Sequence, residues 1–387
     1  MNKPKRVLLA AGGTGGHFYP GYVLGLALRR AGLEPLYLVR GQDPAGAVLD
    51  KDGLPFVEVP MRGLPRRPGL ELLRFAWRLV AGLRLVSRVV ADFAPDAVVG
   101  MGGYLTFPAA WAAGRRGIPV LLHESNSVLG LANRASLPFA RMLALGLPAA
   151  RPLRARASLT GTPVRQSLWN LPEASQARTA LGLDAGRPTI LVFGGSQGAR
   201  SLNQLVPEAL LLAAKDGASF QVLHLPGAKE AKAVAQAYAG APFKAVVLDY
   251  LHEMERGYAA ADLVVSRAGA STLAELAATG RPALLIPFPA AAAGHQEENA
   301  SAAARAGAAV CLPERSLSAG SLARALTDLM PPGSGAAAGP RVAAAGPARA
   351  RLSEMGRRWA RLGLPNPQDC VSGLVETVLR LANEKED

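Results

Sequence analysis

The sequence predicts an α/β protein of two domains, each a parallel sheet covered by helices on both faces. Three observations carry this. The chain has 387 residues, more than one hydrophobic core ordinarily serves. Short apolar runs alternate along it with longer helical patterns, the signature of βαβ units. Finally, one layout of apolar strand, bare glycine turn and helix heads each half: "LLAAGGTGGHFYPG" at residues 8–21 and "ILVFGGSQGARSLN" at residues 190–203. Two such series imply two Rossmann-like domains.

The strand candidates of the first half are residues 6–11, 35–40, 56–60, 97–100, 120–123 and 142–145. Those of the second half are residues 189–193, 221–225, 245–249, 263–266, 283–287 and 308–311. A helix is predicted over residues 20–30, with Pro20 in its first turn, where no backbone N–H is needed. The proline- and glycine-bearing stretch "SLTGTPVRQSLW" at residues 158–169 marks the boundary, so the expected domains are 1–162 and 163–350. Residues 331–347, "PPGSGAAAGPRVAAAGP", read as a flexible low-complexity loop. A last helix over residues 369–382 keeps Val371, Leu374, Val375, Val378 and Leu381 at helical spacing. The C-terminal helices, within 351–387, could pack on either domain, the first included.

Half of the residues are hydrophobic and 19% are charged, ordinary values for a globular protein. Aromatics reach only 5%, which favours helices over a β-sandwich. The net charge of +14 suggests an anionic partner: nucleic acid, an acidic membrane surface or a phosphorylated substrate. Two scattered cysteines, Cys311 and Cys370, make neither a disulfide framework nor a zinc site and fit a reducing cytoplasm. The apolar run near the start stops at the glycines, short of a secretory signal, and no run of apolar residues is long enough to span a bilayer.

A glycine turn between strand and helix exposes backbone N–H groups at a helix N-terminus, which with the helix dipole make an anion site. The run from Gly12 to His17 does not match G-x-G-x-x-G, and no Lys-Ser/Thr pair follows to make a P-loop. The turn from Gly194 to Gly198 matches neither pattern. Nicotinamide dinucleotides and P-loop hydrolysis are therefore disfavoured. A third cluster, "GMGGYLTFP" at residues 100–108, follows the strand "DAVVG". Ligands of open α/β sheets bind beyond the carboxyl ends of the strands, so the loops at Gly12, Gly102 and Gly194 are expected to face one cleft. His17 closes the first loop. A helix N-terminus disfavours imidazolium and keeps the ring neutral, the state a general base needs.

Seven motifs occur in order: "GGTGGHFYPG", "GMGGY", "HESN" (residues 123–126), "GTPVR" (161–165), "GGSQGARSLN", "RAGASTLAEL" (267–276) and "GHQEENA" (294–300). Together, over about residues 6–329, the chain resembles the MurG family of peptidoglycan glycosyltransferases, which move N-acetylglucosamine from UDP-N-acetylglucosamine onto lipid I. The resemblance implies a GT-B fold with a deep cleft between its domains, an inverting transfer to the 4-OH of the muramyl sugar that forms lipid II, no cofactor and no required metal. It also implies a peripheral enzyme on the cytoplasmic face of the membrane, with no nucleic-acid partner; no oligomeric state follows from it.

Carried over residue by residue, the resemblance implies a donor site drawn mainly from the second domain. Ser196 would contact donor phosphate or uridine, and Arg165 would pair with the pyrophosphate. Ala270, Ser271, Thr272, Leu273 and Ala274 would open a helix facing the phosphates. Glu275 would bind the ribose hydroxyls, Leu251 would contact uracil through its backbone, and Gln296 and Asn299 would hold sugar hydroxyls. From the first domain Thr14, Gly15, Gly16 and Asn126 would close over the sugar. Gly13, Gly102, Gly103 and Tyr104 would hold the acceptor pyrophosphate, and His17 would be the base. These residue types suit the roles: guanidinium matches phosphate, and amides read hydroxyls as both donor and acceptor.

Three positions depart from the family pattern. Ser125 stands where glutamine is usual, Thr162 where asparagine is common, and Gly294, ending "AAAAG", where a polar or acidic residue often precedes the glutamine motif. These changes bear on positioning around the sugar and leave the class intact. Asp50-Lys51-Asp52 resembles a metal-binding D-x-D but lies between a helix and a strand, and reads as a solvated turn.

Residues 61–90 carry arginines 62, 66, 67, 74, 78, 84 and 88 against one acid, Glu71, with Leu72, Phe75, Trp77, Leu79, Val80 and Leu83 interleaved. Such a basic helix suits an anionic bilayer surface. Two rivals stand beside the transferase. A UDP-N-acetylglucosamine 2-epimerase would share fold and donor but need no acceptor. A basic nucleic-acid binder would share the charge, but the sequence carries no recognition module for it.

Overall fold

The computed structural model describes residues 3–12, 15–41, 44–61, 70–153, 155–195, 199–291, 294–330 and 346–384. It divides into two units, Met1–Arg165 with Gly363–Asp387, and Gln166–Leu362.

Unit 1 runs β1 (Arg6–Ala10), α1 (Gly15–Arg30), β2 (Glu34–Arg40), α2 (Pro44–Lys51), β3 (Phe56–Val59), α3 (Leu70–Phe93), β4 (Ala97–Gly100), α4 (Thr106–Gly114), β5 (Val120–Glu124), α5 (Leu131–Ser136), β6 (Met142–Leu145) and β7 (Ala157–Leu159). Its sheet has the order β3-β2-β1-β4-β5-β6-β7, every pair parallel. The strands are apolar on both faces because helices cover both. In β1, Val7 and Leu9 join one core with Phe18, Leu24 and Leu28 of α1. Leu8 and Ala10 join the other, with Val86 and Val90 of α3 and Ala109 and Ala113 of α4.

Unit 2 runs α6 (Ala174–Ala180), β8 (Thr189–Phe193), α7 (Arg200–Lys215), β9 (Gln221–Leu225), α8 (Ala231–Ala237), β10 (Ala245–Val247), α9 (Met254–Ala260), β11 (Leu263–Ser266), α10 (Ala270–Thr279), β12 (Ala283–Leu285), α11 (His295–Ala306), β13 (Ala309–Cys311), α12 (Ala319–Leu329) and α13 (Gly346–Arg357). The order β10-β9-β8-β11-β12-β13, again all parallel, buries Ile190 and Val192 against α7 and α12.

Several expectations need amending. α1 begins at Gly15, inside the glycine turn, so Pro20 lies within the helix and not in its opening turn. Its ring withholds only the bond that would return to residue 16. β7 was not foreseen; three residues at a sheet edge carry too little apolar pattern to read. The chain passes from unit 1 to unit 2 after Arg165, so Arg165 belongs to unit 1. The C-terminal helices separate: α13 stays with unit 2, while α14 (Pro367–Asn383) belongs to unit 1. There Cys370, Leu374, Val378 and Leu381 enter the core beside α1. Residues 331–345 of the expected loop, and residues 62–69 of the basic segment, lie outside the described residues.

Candidate active site

In each sheet the strand order reverses once, between β1 and β4 in unit 1 and between β8 and β11 in unit 2. Loops leaving the carboxyl ends there are the expected ligand positions. Gly12, Gly102 and Gly194 follow β1, β4 and β8, three of the four strands at these reversals.

In unit 1 the loop after β4 meets the first turn of α1. Gly102 and Gly103 both hold left-handed backbone, φ +91° and +74°, which glycine adopts without strain. Their bareness also makes room: a Cβ on Gly102 would stand 2.8 Å from Cδ2 of His17, and one on Gly103 3.3 Å from its Nδ1. His17, half-buried in the opening turn of α1, is thus seated against the glycine turn from β4. Tyr104 follows and packs partly into the α3–α4 core. Gly15 and Gly16 open α1; Gly13 and Thr14 lie outside the described residues.

Beside them the end of β5 is held by a buried carboxylate. Glu124 Oε1 accepts from the backbone N (3.0 Å) and side-chain Nδ2 (3.0 Å) of Asn126. Its Oε2 accepts from Gly130 N (2.8 Å) and Asn133 Nδ2 (2.9 Å). Four donors fold the loop around one side chain and orient Asn126. His123 is fully buried, with Nε2 3.0 Å from the carbonyl of Gly161; burial pushes its pKa down, and that carbonyl only partly opposes the shift. Two of the departures meet here. A Cβ on Gly146 would run into Oγ1 of Thr162 and stand 2.9 Å from Cα of Ser125, so Thr162 and Ser125 both border Gly146. The guanidinium of Arg165 lies 5.8 Å over the ring of Tyr19 on α1.

In unit 2 the loop after β11 feeds α10, capped by Gly269, which has no side chain to occupy the first N–H groups. Ser271 and Thr272 are half-buried in its first turn; Leu273 is wholly buried, which confines it to backbone contact, and Ala270 and Ala274 are nearly so. Glu275 follows on the same helix, and its Oε2 accepts from the hydroxyl of Tyr258 at 2.7 Å. Ser196 lies outside the described residues. Leu251 is half-exposed beside α9, with its Cδ2 3.0 Å from where a Cβ on Gly257 would be.

Arg267 ties these loops together. Buried at the end of β11, it donates to Ser201 at the start of α7 (2.9 Å), to the carbonyl of Ile286 (3.1 Å) and to Glu314 (2.5 Å). Its guanidinium also lies 5.4 Å over the ring of Phe288. Burial works against the charge of Glu314, but hydrogen bonds from Arg267 and Ser201 and the guanidinium's charge hold its pKa below the usual range. Gln296 accepts from Phe288 N at 2.9 Å through Oε1, which turns its amide NH₂ away from that bond. Asn299 is completely buried and donates to the carbonyl of Ala268 (3.1 Å). Through that bond it braces the turn before α10. Gly294, at φ +66°, caps α11 in the left-handed region, where a branched side chain would be strained.

Among the described residues no group of three or more histidine, cysteine or acidic side chains could hold a metal ion. Asp52 accepts instead from the hydroxyl of Tyr22. Sequence reasoning missed Tyr258, Arg267 and Glu124 as organisers. Glu124 and Arg267 stood within quoted motifs without a role, and Tyr258 is a lone aromatic in an alanine-rich helix, which reads as core.

The chain matches the model of the glycosyltransferase family 28 N-terminal domain over residues 7–144 and that of the C-terminal domain over residues 189–349. A UDP-N-acetylglucosamine--N-acetylmuramyl-(pentapeptide) pyrophosphoryl-undecaprenol N-acetylglucosamine transferase of a Nocardioides species is 44% identical, over 81% of this chain and 86% of its own. The protein of that name from Burkholderia ambifaria is 38% identical over 98% of both chains. The crystal structure of Acinetobacter baumannii MurG superposes with a TM-score of 0.76 at 27% identity, covering 97% of this chain and all of that one. The calicheamicin glycosyltransferase CalG4, at 17% identity and a TM-score of 0.63, shares the fold.

Proposed function

The chain belongs to glycosyltransferase family 28, and on that premise we propose that it transfers N-acetylglucosamine from UDP-N-acetylglucosamine to the 4-OH of the muramyl sugar of lipid I, forming lipid II with inversion at the anomeric carbon. The observation that carries this reading is the match, along both units, to relatives named for this transfer, 38% identical across 98% of each chain.

The donor belongs to unit 2. Glu275 accepts hydrogen bonds from the ribose hydroxyls, and backbone at Leu251 reads uracil. The N-terminus of α10 (Ala270, Ser271, Thr272, and Leu273 and Ala274 through backbone) faces the pyrophosphate, joined by Ser196. Gln296 offers its amide NH₂ to a sugar hydroxyl, because Phe288 N already engages its oxygen. The acceptor belongs to unit 1, its pyrophosphate held by the backbone of Gly13, Gly102 and Gly103 and by Tyr104. His17 takes the proton of the 4-OH as that oxygen bonds to C1. The bond from C1 to the UDP oxygen breaks at the same time, and UDP departs with the electron pair. The positive end of α10 stabilises that leaving charge.

The acceptor's lipid brings the enzyme to a membrane surface. Among the described residues no helix is long and apolar enough to cross a membrane, and attachment is peripheral, on the cytoplasmic face, through α3. The outward side of that helix carries Trp77, 73% exposed, with Val80, Arg84 and Arg88 also exposed.

Transfer of labelled N-acetylglucosamine to a lipid I analogue tests the reading. Glu275→Ala and His17→Ala should each lose most activity, the latter by about 100-fold or more, as for a general base. Full activity in His17→Ala removes it from that role and leaves the donor assignments standing. Epimer formation from UDP-N-acetylglucosamine without any acceptor would favour the epimerase.

A further inference from the structure

Tyr258 is the most deeply buried aromatic near the candidate ribose site. It lies on α9 with no exposed surface, its ring edge-on to Phe193 of β8 at 6.1 Å. Its hydroxyl donates at 2.7 Å to Glu275 Oε2, on a different helix. A buried tyrosine must satisfy its hydroxyl, and many do so on a backbone carbonyl. Here the partner is the carboxylate read as the ribose ligand, and the inference rests on that reading.

A glutamate side chain has three rotatable bonds, and a carboxylate held only by ligand must be ordered on each binding event. A hydroxyl anchored in a packed core fixes one oxygen and thereby the carboxylate plane before ligand arrives. We propose that Tyr258 is a positioning residue that aims Glu275 at the ribose diol, and that it thereby sets the preference for ribonucleotide over 2′-deoxyribonucleotide donors. The same helix also seats the base-contacting segment, since Leu251 packs where a side chain on Gly257 would begin. One short helix therefore organises both ends of the nucleoside.

A tyrosine that merely fills the core would, when altered, weaken all nucleotides alike. One that acts through Glu275 must weaken those carrying the 2′-OH more. Calorimetric titration of the full chain with UDP and with 2′-deoxy-UDP separates the two, using wild type, Tyr258→Phe, Glu275→Ala and the double variant. Phenylalanine keeps the ring and its packing. The expected result in Tyr258→Phe is about a tenfold weaker Kd for UDP with less than about a threefold change for 2′-deoxy-UDP. In the Glu275→Ala background the same change should move UDP affinity by less than about twofold. Equal weakening of both nucleotides, undiminished UDP affinity, or the same loss without Glu275 would overturn the proposal. A wild type that binds no UDP would instead sink the donor-site reading beneath it.

Discussion

Gln296 shows how a single internal hydrogen bond can fix what a side chain offers a ligand. With its oxygen engaged by Phe288 N, it is the NH₂ that the proposed site leaves to the sugar. Gln296→Glu keeps an oxygen for that internal bond and loses the NH₂. Its KM for UDP-N-acetylglucosamine should rise about tenfold, the worth of one polar contact, while Kd for UDP stays unchanged; steady-state kinetics beside calorimetry would check both. His224 gives a pH prediction. It is buried between Tyr238 (2.9 Å) and Asn203 (3.2 Å), and burial lowers its pKa from 6.5 to about 3. Between those values the unfolded chain binds a proton that the folded chain refuses, so stability is intact above pH 6.5 and falls as pH drops toward 3. Denaturant titrations across this window should show His224→Asn losing up to one proton's worth of slope. Nothing in "QVLHL" announces this role. A histidine's burial, like Tyr258's bond to Glu275 or Arg267's to Ser201, depends on partners far along the chain, whereas a glycine turn's conformational demand is local and can be read directly.

Elements were the more legible level. A strand buried on both faces must be a continuous apolar run, and each of the twelve strand candidates coincides with a strand. β7 escaped because its three residues, exposed or half-buried, sit at the sheet's edge. The start of α1 was misread because Pro20 looked like a first residue, while the glycines before it gave no propensity signal. The motifs pick out the loops of the candidate site, since loops follow strands, but do not announce the bond from Asn299 to the carbonyl of Ala268. α14 displays the limit most plainly: its apolar stripe showed that it must pack, not on what. It completes the core around α1, so Leu374→Ala should cost about 2–5 kcal/mol. The measurement is chemical unfolding with a probe in unit 1; an unchanged midpoint would mean that α14 is dispensable there.

For the whole molecule, a net charge of +14 has no single explanation in the donor site, where one nucleotide supplies a few negative charges. The arginines of α3 suit a larger anionic partner. Its inward side is anchored by Val86 and Val90 in the core. Trp77, Val80, Arg84 and Arg88 stand at intervals of three and four, on one outward side. An aromatic and an aliphatic residue in a basic neighbourhood match a bilayer interface, where each nearby arginine contributes about 1 kcal/mol against anionic lipid and the indole enters the headgroup layer. Purified protein should therefore sediment with vesicles containing anionic lipid and be released as salt shortens the Debye length. Arg84→Glu with Arg88→Glu should abolish most of that binding, and Trp77→Ala should weaken it at every salt concentration. Transfer to a soluble acceptor analogue should remain intact in both variants, because none of the three residues is among those proposed to hold the donor or the acceptor headgroup. Equal binding to neutral and anionic vesicles would defeat the electrostatic argument. Binding that survives the arginine changes would move the attachment surface elsewhere on the molecule.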